Sequence, residues 1–365
     1  MKKQKPLLQR IAQYLALMSQ RAREGHLSVS KQLAEMTGLA LLTGNGPGYY
    51  LTAGFYQRNI SWRDKTMHLG SGAYRDRLSV LNPVSLRIFT QNKLVEKSLL
   101  TTLGFPTPRF VGVLHASLGR TASGRELRDP AQFAALIQAY RERTLVFKLL
   151  HGWAGQGFIA ARVEDLNGVP HLKSLRSESN STPIPVDAFY RTLLAEQGSA
   201  GRLIEEYFYQ HPDLASFNPS SVNTCRIWVA KEKGGRGRVV LAYLRIGRGG
   251  SLVDNQSAGG IVAAIDLETG VTAAAIDGLP QRVSFKCHPD HGAPILGRSI
   301  PFWNEAKALA ENCVTAFPGL QFAGTDVAIG ANGPVIIELN ASPDREGAAF
   351  VGIPSSLIVP QQRRH

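Results

Sequence analysis

A chain of 365 residues with 44% hydrophobic and 19% charged residues has room for one large catalytic unit with subdomains, or for two modest domains, and is not the composition of a disordered protein. No run reaches the roughly 18 uninterrupted apolar residues of a membrane-spanning helix. The 41 Lys+Arg against 28 Asp+Glu give a net charge of +13, read here as a basic surface around an anion-binding site; nucleic acid is not expected as a partner, because no basic run is interleaved with aromatics.

In chain order, the first 23 residues hold six basic residues and no acid. Leu7, Leu8, Ile11, Tyr14, Leu15 and Met18 recur at helical spacing with Gln and Arg between them. That pattern predicts an amphipathic helix packed on the protein; a secretory signal would need an unbroken apolar core. Peripheral contact of this helix with a membrane surface is the alternative. Residues 1–90 form a basic N-terminal segment, helical at first and then loop-rich, with 13 Lys+Arg against four acids. Its cluster Gly44-Asn45-Gly46-Pro47-Gly48-Tyr49-Tyr50 lacks the lysine and Ser/Thr of a P-loop and predicts a loop with aromatic plugs. One functional reading of the segment is that Arg75 and Arg77 receive an acidic acceptor; the alternative is a docked structural segment.

Asn92–Leu103 predicts a helix with Leu94, Val95, Leu99 and Leu100 on its apolar side, closed by Gly104. A short strand follows over Arg109–Val113, then a helix capped by Asp129 and opened by Pro130, running to about Arg141. Strands are expected over 145–150, 158–163, 203–208, 226–231, 239–246, 261–266 and 335–339, and helices over 185–197 and 302–316. Without a steady βαβ rhythm, the expected class is α+β in layers. Of the three cysteines, none lies in a CxxC pair, which fits a reducing cytoplasm better than a disulfide framework; Cys287, His288 and His291 lack a fourth ligand for zinc.

Three stretches carry chemistry. Lys148 interrupts the apolar run Val146-Phe147-Lys148-Leu149-Leu150, where a charge is costly unless paired. The turn that follows, with Gly152, Gly155 and Gly157, can bring backbone N–H groups close to an anion, so the pair of features points to phosphate. Asp326, Glu338 and Asn340 form a second set. Strand alternation puts Glu338 and Asn340 on one face, and two carboxylates with an amide suit Mg²⁺. A general acid–base pair is the alternative, but Asn340 cannot be a base. Arg226 and Arg245 each sit in or at the start of an apolar strand, which implies an anionic partner, and the polar loop 253–260 with Asn255 could close on a ligand.

In this order the residues resemble the ATP-grasp superfamily, most closely the sugar-transfer-associated ATP-grasp subgroup, with glutamate-ligase-like relatives behind it. The resemblance covers residues 91 to the end. It rests on Asn92-Lys93, Phe147-Lys148 with its glycine turn, Ile204-Glu205-Glu206-Tyr207-Phe208, Ser221–Arg226, the 253–260 loop and the Asp326/Glu338/Asn340 set. It implies two α+β lobes with ATP between them, 91–202 and 203–365, behind the 1–90 segment. It further implies that Lys93 and Lys148 contact phosphates under the glycine turn, and that Glu205, Glu206, Tyr207 and Phe208 line adenine. Arg226, Arg245 and Asn255 would face the γ-phosphate and an acyl phosphate. Asp326, Glu338 and Asn340 would hold two Mg²⁺ ions, with Mn²⁺ as a substitute. The ribose-binding acid of the family has no match in Gln210-His211-Pro212-Asp213. The activity implied is a cytoplasmic, ADP-forming carboxylate–amine ligase acting on small molecules; a phosphotransferase or a non-catalytic nucleotide-binding protein are the alternatives.

Overall fold

The computed structural model describes residues 6–152, 155–175, 182–197, 201–278 and 280–361. Its first ninety residues are helical well beyond the first helix: α1 (Leu7–Arg23), α2 (Val29–Thr43), α3 (Pro47–Thr52), α4 (Trp62–Thr66), α5 (Ser71–Leu81) and α6 (Val84–Thr90). The expectation of a loop-rich second half is therefore corrected. The turn residues at 44–47 punctuate helices: Gly44, at φ +74°, ends α2 in the left-handed conformation, and Pro47 opens α3. Tyr49 and Tyr50 are buried, as plugs should be. Tyr50 donates to Glu35, which also takes the buried Lys65 ammonium at 2.7 Å, so both charges are satisfied inside. The segment is fastened to the rest of the chain by backbone-seeking side chains. Tyr74 donates to the Pro343 carbonyl, and Asn82 to those of Phe322 and Ala341. Arg77 donates to those of Ser356 and Val359.

After α7 (Lys93–Thr102) come β1 (Phe110–Leu114), β2 (Arg120–Thr121), α8 (Pro130–Gln138), β3 (Thr144–Leu149), β4 (Ile159–Leu166), β5 (Val169–Ser174), β6 (Ile184–Pro185), α9 (Val186–Gln197) and β7 (Arg202–Glu206). The strands form one antiparallel sheet in the order β2-β1-β7-β3-β4-β5-β6. Asp129 caps α8, accepting from the Gln132 amide, with Pro130 in the first turn as expected. Phe133 of α8 and Phe189 and Tyr190 of α9 pack on Phe147 and Ile204, covering one face of the sheet. β5 and the edge strand β6 were not anticipated; they carry His171, Lys173 and two prolines, a pattern too polar for a buried strand.

The remaining elements are α10 (Pro212–Ala215), β8 (Thr224–Lys231), β9 (Gly237–Ile246), β10 (Ile261–Ile265), β11 (Thr272–Ile276), β12 (Ser284–Phe285), α11 (Trp303–Thr315), β13 (Phe322–Gly330), β14 (Gly333–Asn340), α12 (Glu346–Phe350) and α13 (Ser355–Ile358). A second antiparallel sheet runs β12-β11-β10-β9-β8-β13-β14. Strand alternation splits its side chains. Cys225, Ile227, Val229, Leu244 and Val327 face α11. Trp228, Leu241, Tyr243 and Phe322 face the other way, onto Tyr74, Leu78 and Leu81 of α5. Arg226, Arg245 and Asp326 share that second phase, which decides where they point. Among the described residues, no helix is long and apolar enough to cross a membrane.

Candidate functional site

Where the second sheet is not covered by α5, it meets the first across a cleft of about 420 Å³. That is within the ~300–1,000 Å³ usual for small-molecule sites. Of the residues the resemblance assigns to nucleotide, acid and metal, all but Gly157 line it: Lys93, Lys148, Gly152, Gly155, Glu205, Glu206, Tyr207, Phe208, Arg226, Arg245, Asn255, Asp326, Glu338 and Asn340. Among the described residues, none from 6–92 does, so Arg75 and Arg77 stand outside the lining.

The second sheet contributes a row across three strands. Asp326 on β13 is the direct register partner of Arg226 on β8 and of Glu338 on β14; such pairs place side chains ~5 Å apart on one face. Asp326 is almost fully buried and doubly held. Both its oxygens take Arg226, and Oδ2 also accepts from Arg245 Nη1 at 2.8 Å. Burial alone would raise this carboxyl, but the two guanidiniums hold it well below the usual carboxylate range. Arg245 in turn pairs with buried Asp254 at 2.9 Å and donates to Asn255 Oδ1. Asp254 also accepts from the Thr224 amide and hydroxyl. Burial pushes the Asp254 carboxyl up against Arg245. The two arginines expected to meet an anionic ligand are thus neutralised in the ligand-free chain by Asp326 and Asp254.

A second network comes from α7, β3 and β7. Asn92 caps α7 by accepting from the amides of Leu94 and Val95. Lys93 N donates to the Leu150 carbonyl, tying α7 to the end of β3. The apolar face assigned to this helix needs correction: Val95 is 40% exposed, whereas Glu96, Lys97 and Leu100 are buried. The helix turns Lys93, Glu96 and Lys97 inward, at i, i+3 and i+4. Lys93 Nζ meets Glu338 Oε1 at 3.1 Å. Burial opposes the Lys93 charge, but Glu338 beside it raises the ammonium above its ordinary value. Lys148 on β3 and Lys97 both close on Glu205, which is 2% exposed; Lys148 Nζ lies 2.7 Å from Oε2. Lys97 also donates to the Pro108 carbonyl. Burial would raise the Glu205 carboxyl, and the two lysines bring it down instead. Glu205 is therefore the counter-ion of the lysines, and its neighbours supply the cleft wall. Glu206 pairs with Arg109 and Arg143 at the rim, and the Tyr207 amide is fixed on the Thr144 carbonyl.

The glycine turn meets the 253–260 loop. Gly155, at φ +73°, approaches Val253 so closely that a Cβ would lie 2.9 Å from its Cγ1 and 3.2 Å from Asn255 Nδ2. A side chain there would separate the two loops. Trp153 and Ala154 fall outside the described residues, and Gly157 packs on Leu149 behind the wall.

The sequence reading missed Glu96, Lys97, Thr224, Asp254 and Asp344. For Lys97 the signal was its position one turn after Lys93; for Asp254, its place beside Asn255. The basic excess, +9 of which falls in residues 1–90, does not line the cleft. The cleft lining carries six carboxylates (Glu205, Glu206, Asp254, Asp326, Glu338, Asp344) against four cations (Lys93, Lys148, Arg226, Arg245). Such a lining repels a free polyanion and fits one that arrives with a hard divalent cation. Glu338 and Asn340, with Asp326 beside them, are oxygen donors of the right kind. Among the described residues no cluster of three His, Cys, Asp or Glu stands together, so the candidate set remains two carboxylates and an amide.

Residues 75–355 match the family described as sugar-transfer associated ATP-grasp. Solved structures of similar fold include D-cycloserine synthetase DcsG, at 13% identity and TM-score 0.41, covering 76% of this chain and 72% of that one. N5-carboxyaminoimidazole ribonucleotide synthetase from Thermotoga maritima matches at 13% and 0.40, over 76% of this chain and 49% of that one. The biotin carboxylase domain of Hydrogenobacter thermophilus 2-oxoglutarate carboxylase, complexed with MgADP, matches at 13% and 0.43, over 81% and 54%. This chain thus spans about half the length of the latter two. No curated protein matches significantly.

Proposed function

This chain belongs to the sugar-transfer associated ATP-grasp family, and we propose that its cleft works as an ATP-dependent carboxylate–amine ligase that releases ADP and phosphate. The observation that carries the reading is the row Arg226–Asp326–Glu338 facing Lys93 and Lys148 across one cleft. Lys93 and Lys148, with the backbone at Gly152 and Gly155, are suited to hold the phosphates. The stretch Glu205–Phe208 offers a wall for adenine. Asp326, Glu338 and Asn340 would hold Mg²⁺, which when bound supplies positive charge against the transferring phosphoryl group.

Arg226 and Arg245 are placed to bind and orient the acid. In the proposed sequence a carboxylate oxygen of the acid attacks the γ-phosphorus and ADP departs with the bond electrons. The amine nitrogen then attacks the acyl carbon, phosphate leaves, and the amine loses its proton. The Gly155 and Val253–Asn255 loops, already in contact, would exclude water that could hydrolyse the activated acid. No nucleophile from the protein is required.

The test is ADP release with panels of acids and amines. The proposal expects turnover only with both, and a hydroxamate when hydroxylamine replaces the amine. Turnover on a single acceptor, leaving a stable phosphorylated product, would replace ligation by phosphotransfer.

A further inference from the structure

We propose that α1 docks the protein on an anionic lipid surface, lying in the headgroup plane through Leu8, Ile11 and Leu15. These three side chains recur at i, i+3 and i+7 and form one stripe along the helix. They are 80%, 45% and 44% exposed. The expected packing of the whole apolar stripe is thereby corrected: the helix is anchored through Tyr14, Leu17 and Met18, and the other three stand outside that core. On α2, which packs against α1, Leu33 and Leu41 are exposed as well.

Charge selects the occupant. The first 23 residues carry six basic residues and no acid, with Lys2, Lys3 and Lys5 directly before the helix. The first acid, Glu24, is tied to Arg21. The cleft does not use this charge, because its own lining has more carboxylates than cations. A basic segment joined to a narrow aliphatic stripe matches an interface of anionic headgroups over acyl chains. Three aliphatic side chains fall well short of the ~800 Å² per partner that a stable dimer buries. With no described helix able to cross a membrane, the contact is peripheral.

The experiment is sedimentation of the full chain with sucrose-loaded vesicles of phosphatidylcholine alone, or with 30% phosphatidylglycerol. Wild type should pellet with the anionic vesicles and stay soluble with the neutral ones. Leu8→Ser/Ile11→Ser/Leu15→Ser should weaken partitioning by at least tenfold, and Lys2, Lys3 and Lys5→Gln by about fivefold per lysine. The serine variant should keep its melting temperature within a few degrees, since Tyr14, Leu17 and Met18 still anchor the helix. Wild type left in the supernatant with anionic vesicles, or equal pelleting of the serine variant, overturns the proposal. So does a concentration-dependent dimer that the serine variant abolishes, because a second copy would then be the occupant.

Discussion

Two lysines share one buried carboxylate, and the difference between them separates a ligand contact from a structural one. Lys148 and Lys97 both pair with Glu205, but Lys148 lines the cleft whereas Lys97 lies beneath it on the Pro108 carbonyl. Lys148→Met leaves Glu205 neutralised by Lys97, so the loss of stability should stay near 1 kcal/mol, little more than an exposed pair is worth. Nucleotide binding should lose a charge-assisted hydrogen bond of ~1.5–3 kcal/mol, weakening the Kd of Mg-ATP about 10- to 150-fold. Lys97→Met should show the opposite pattern. Glu205 keeps Lys148, but the Pro108 carbonyl loses its Lys97 donor, which should cost about 1–3 kcal/mol of stability. It should leave the nucleotide Kd within about threefold, because Lys97 does not line the cleft. Isothermal titration with Mg-ATP and urea unfolding of both variants give the four numbers. Lys148→Met with wild-type affinity would mean that the lysine serves Glu205 alone, and the phosphate assignment would fall.

Glu338→Gln keeps the shape of a partly exposed side chain, so it should fold normally while turnover drops at least about 100-fold and the magnesium requirement rises; full activity at ordinary magnesium would remove Glu338 from the metal set. Asp326→Ala should behave differently: stranding Arg226, while Arg245 keeps Asp254, should cost ~3–5 kcal/mol in urea unfolding as well as activity, and unchanged stability would contradict the pairing. Buried His68 has its pKa lowered from 6.5 to about 4 by burial, with its Nδ1 on the Tyr49 hydroxyl. Because the folded state resists protonation, its stability contribution is full above pH 6.5 and is lost toward pH 4, by up to about 3 kcal/mol. His68→Gln should flatten the pH dependence of unfolding in that window, and an unaltered slope would assign the acid sensitivity elsewhere. Arg75→Glu, on an exposed turn of α5 away from the cleft lining, should leave the substrate KM unchanged in the ADP-release assay; a several-fold rise would restore the N-terminal segment as an acceptor site.

Legibility differed sharply along the chain. Strands with long apolar runs broken by a single charge could be placed to within a few residues, β3 and β9 among them, because most of their residues are buried on both faces. Alternation put Glu338 and Asn340 on one face; that Asp326 is the register partner of Glu338 is set by strand pairing, which periodicity within one strand does not give. The N-terminal helices were harder. α3 and α4 span six and five residues, too short for a periodic signal, and glycine, proline and serine at their boundaries look like loop. α7 misled for another reason. Periodicity assigns charge to solvent, yet Glu96 and Lys97 are carried inward by partners on β14 and β7, distant in sequence. A helix face that buries charge is recognisable only once its counter-ions are in place.

The net charge of the chain likewise says nothing of the charge inside the cleft. Formal charge adds along a sequence, whereas a site responds to the charges that line it. Here the chain carries +13 while the cleft presents more carboxylates than cations. Each of Lys93, Lys148, Arg226 and Arg245 already faces an acid. A polyanion entering alone would have to compete with those acids for every cation it met, in surroundings where water screens poorly. If Glu338 and Asp326 hold a divalent cation, as proposed, Lys93 and Arg226 would lose their carboxylate partners and be left to meet the anion, while Arg245 would keep Asp254. The pairing of each cleft cation with a carboxylate therefore does not argue against ligand binding. Under the proposed metal set, occupation of Glu338 and Asp326 would be coupled to the availability of Lys93 and Arg226, so that groups proposed to orient phosphate and acid would become free together.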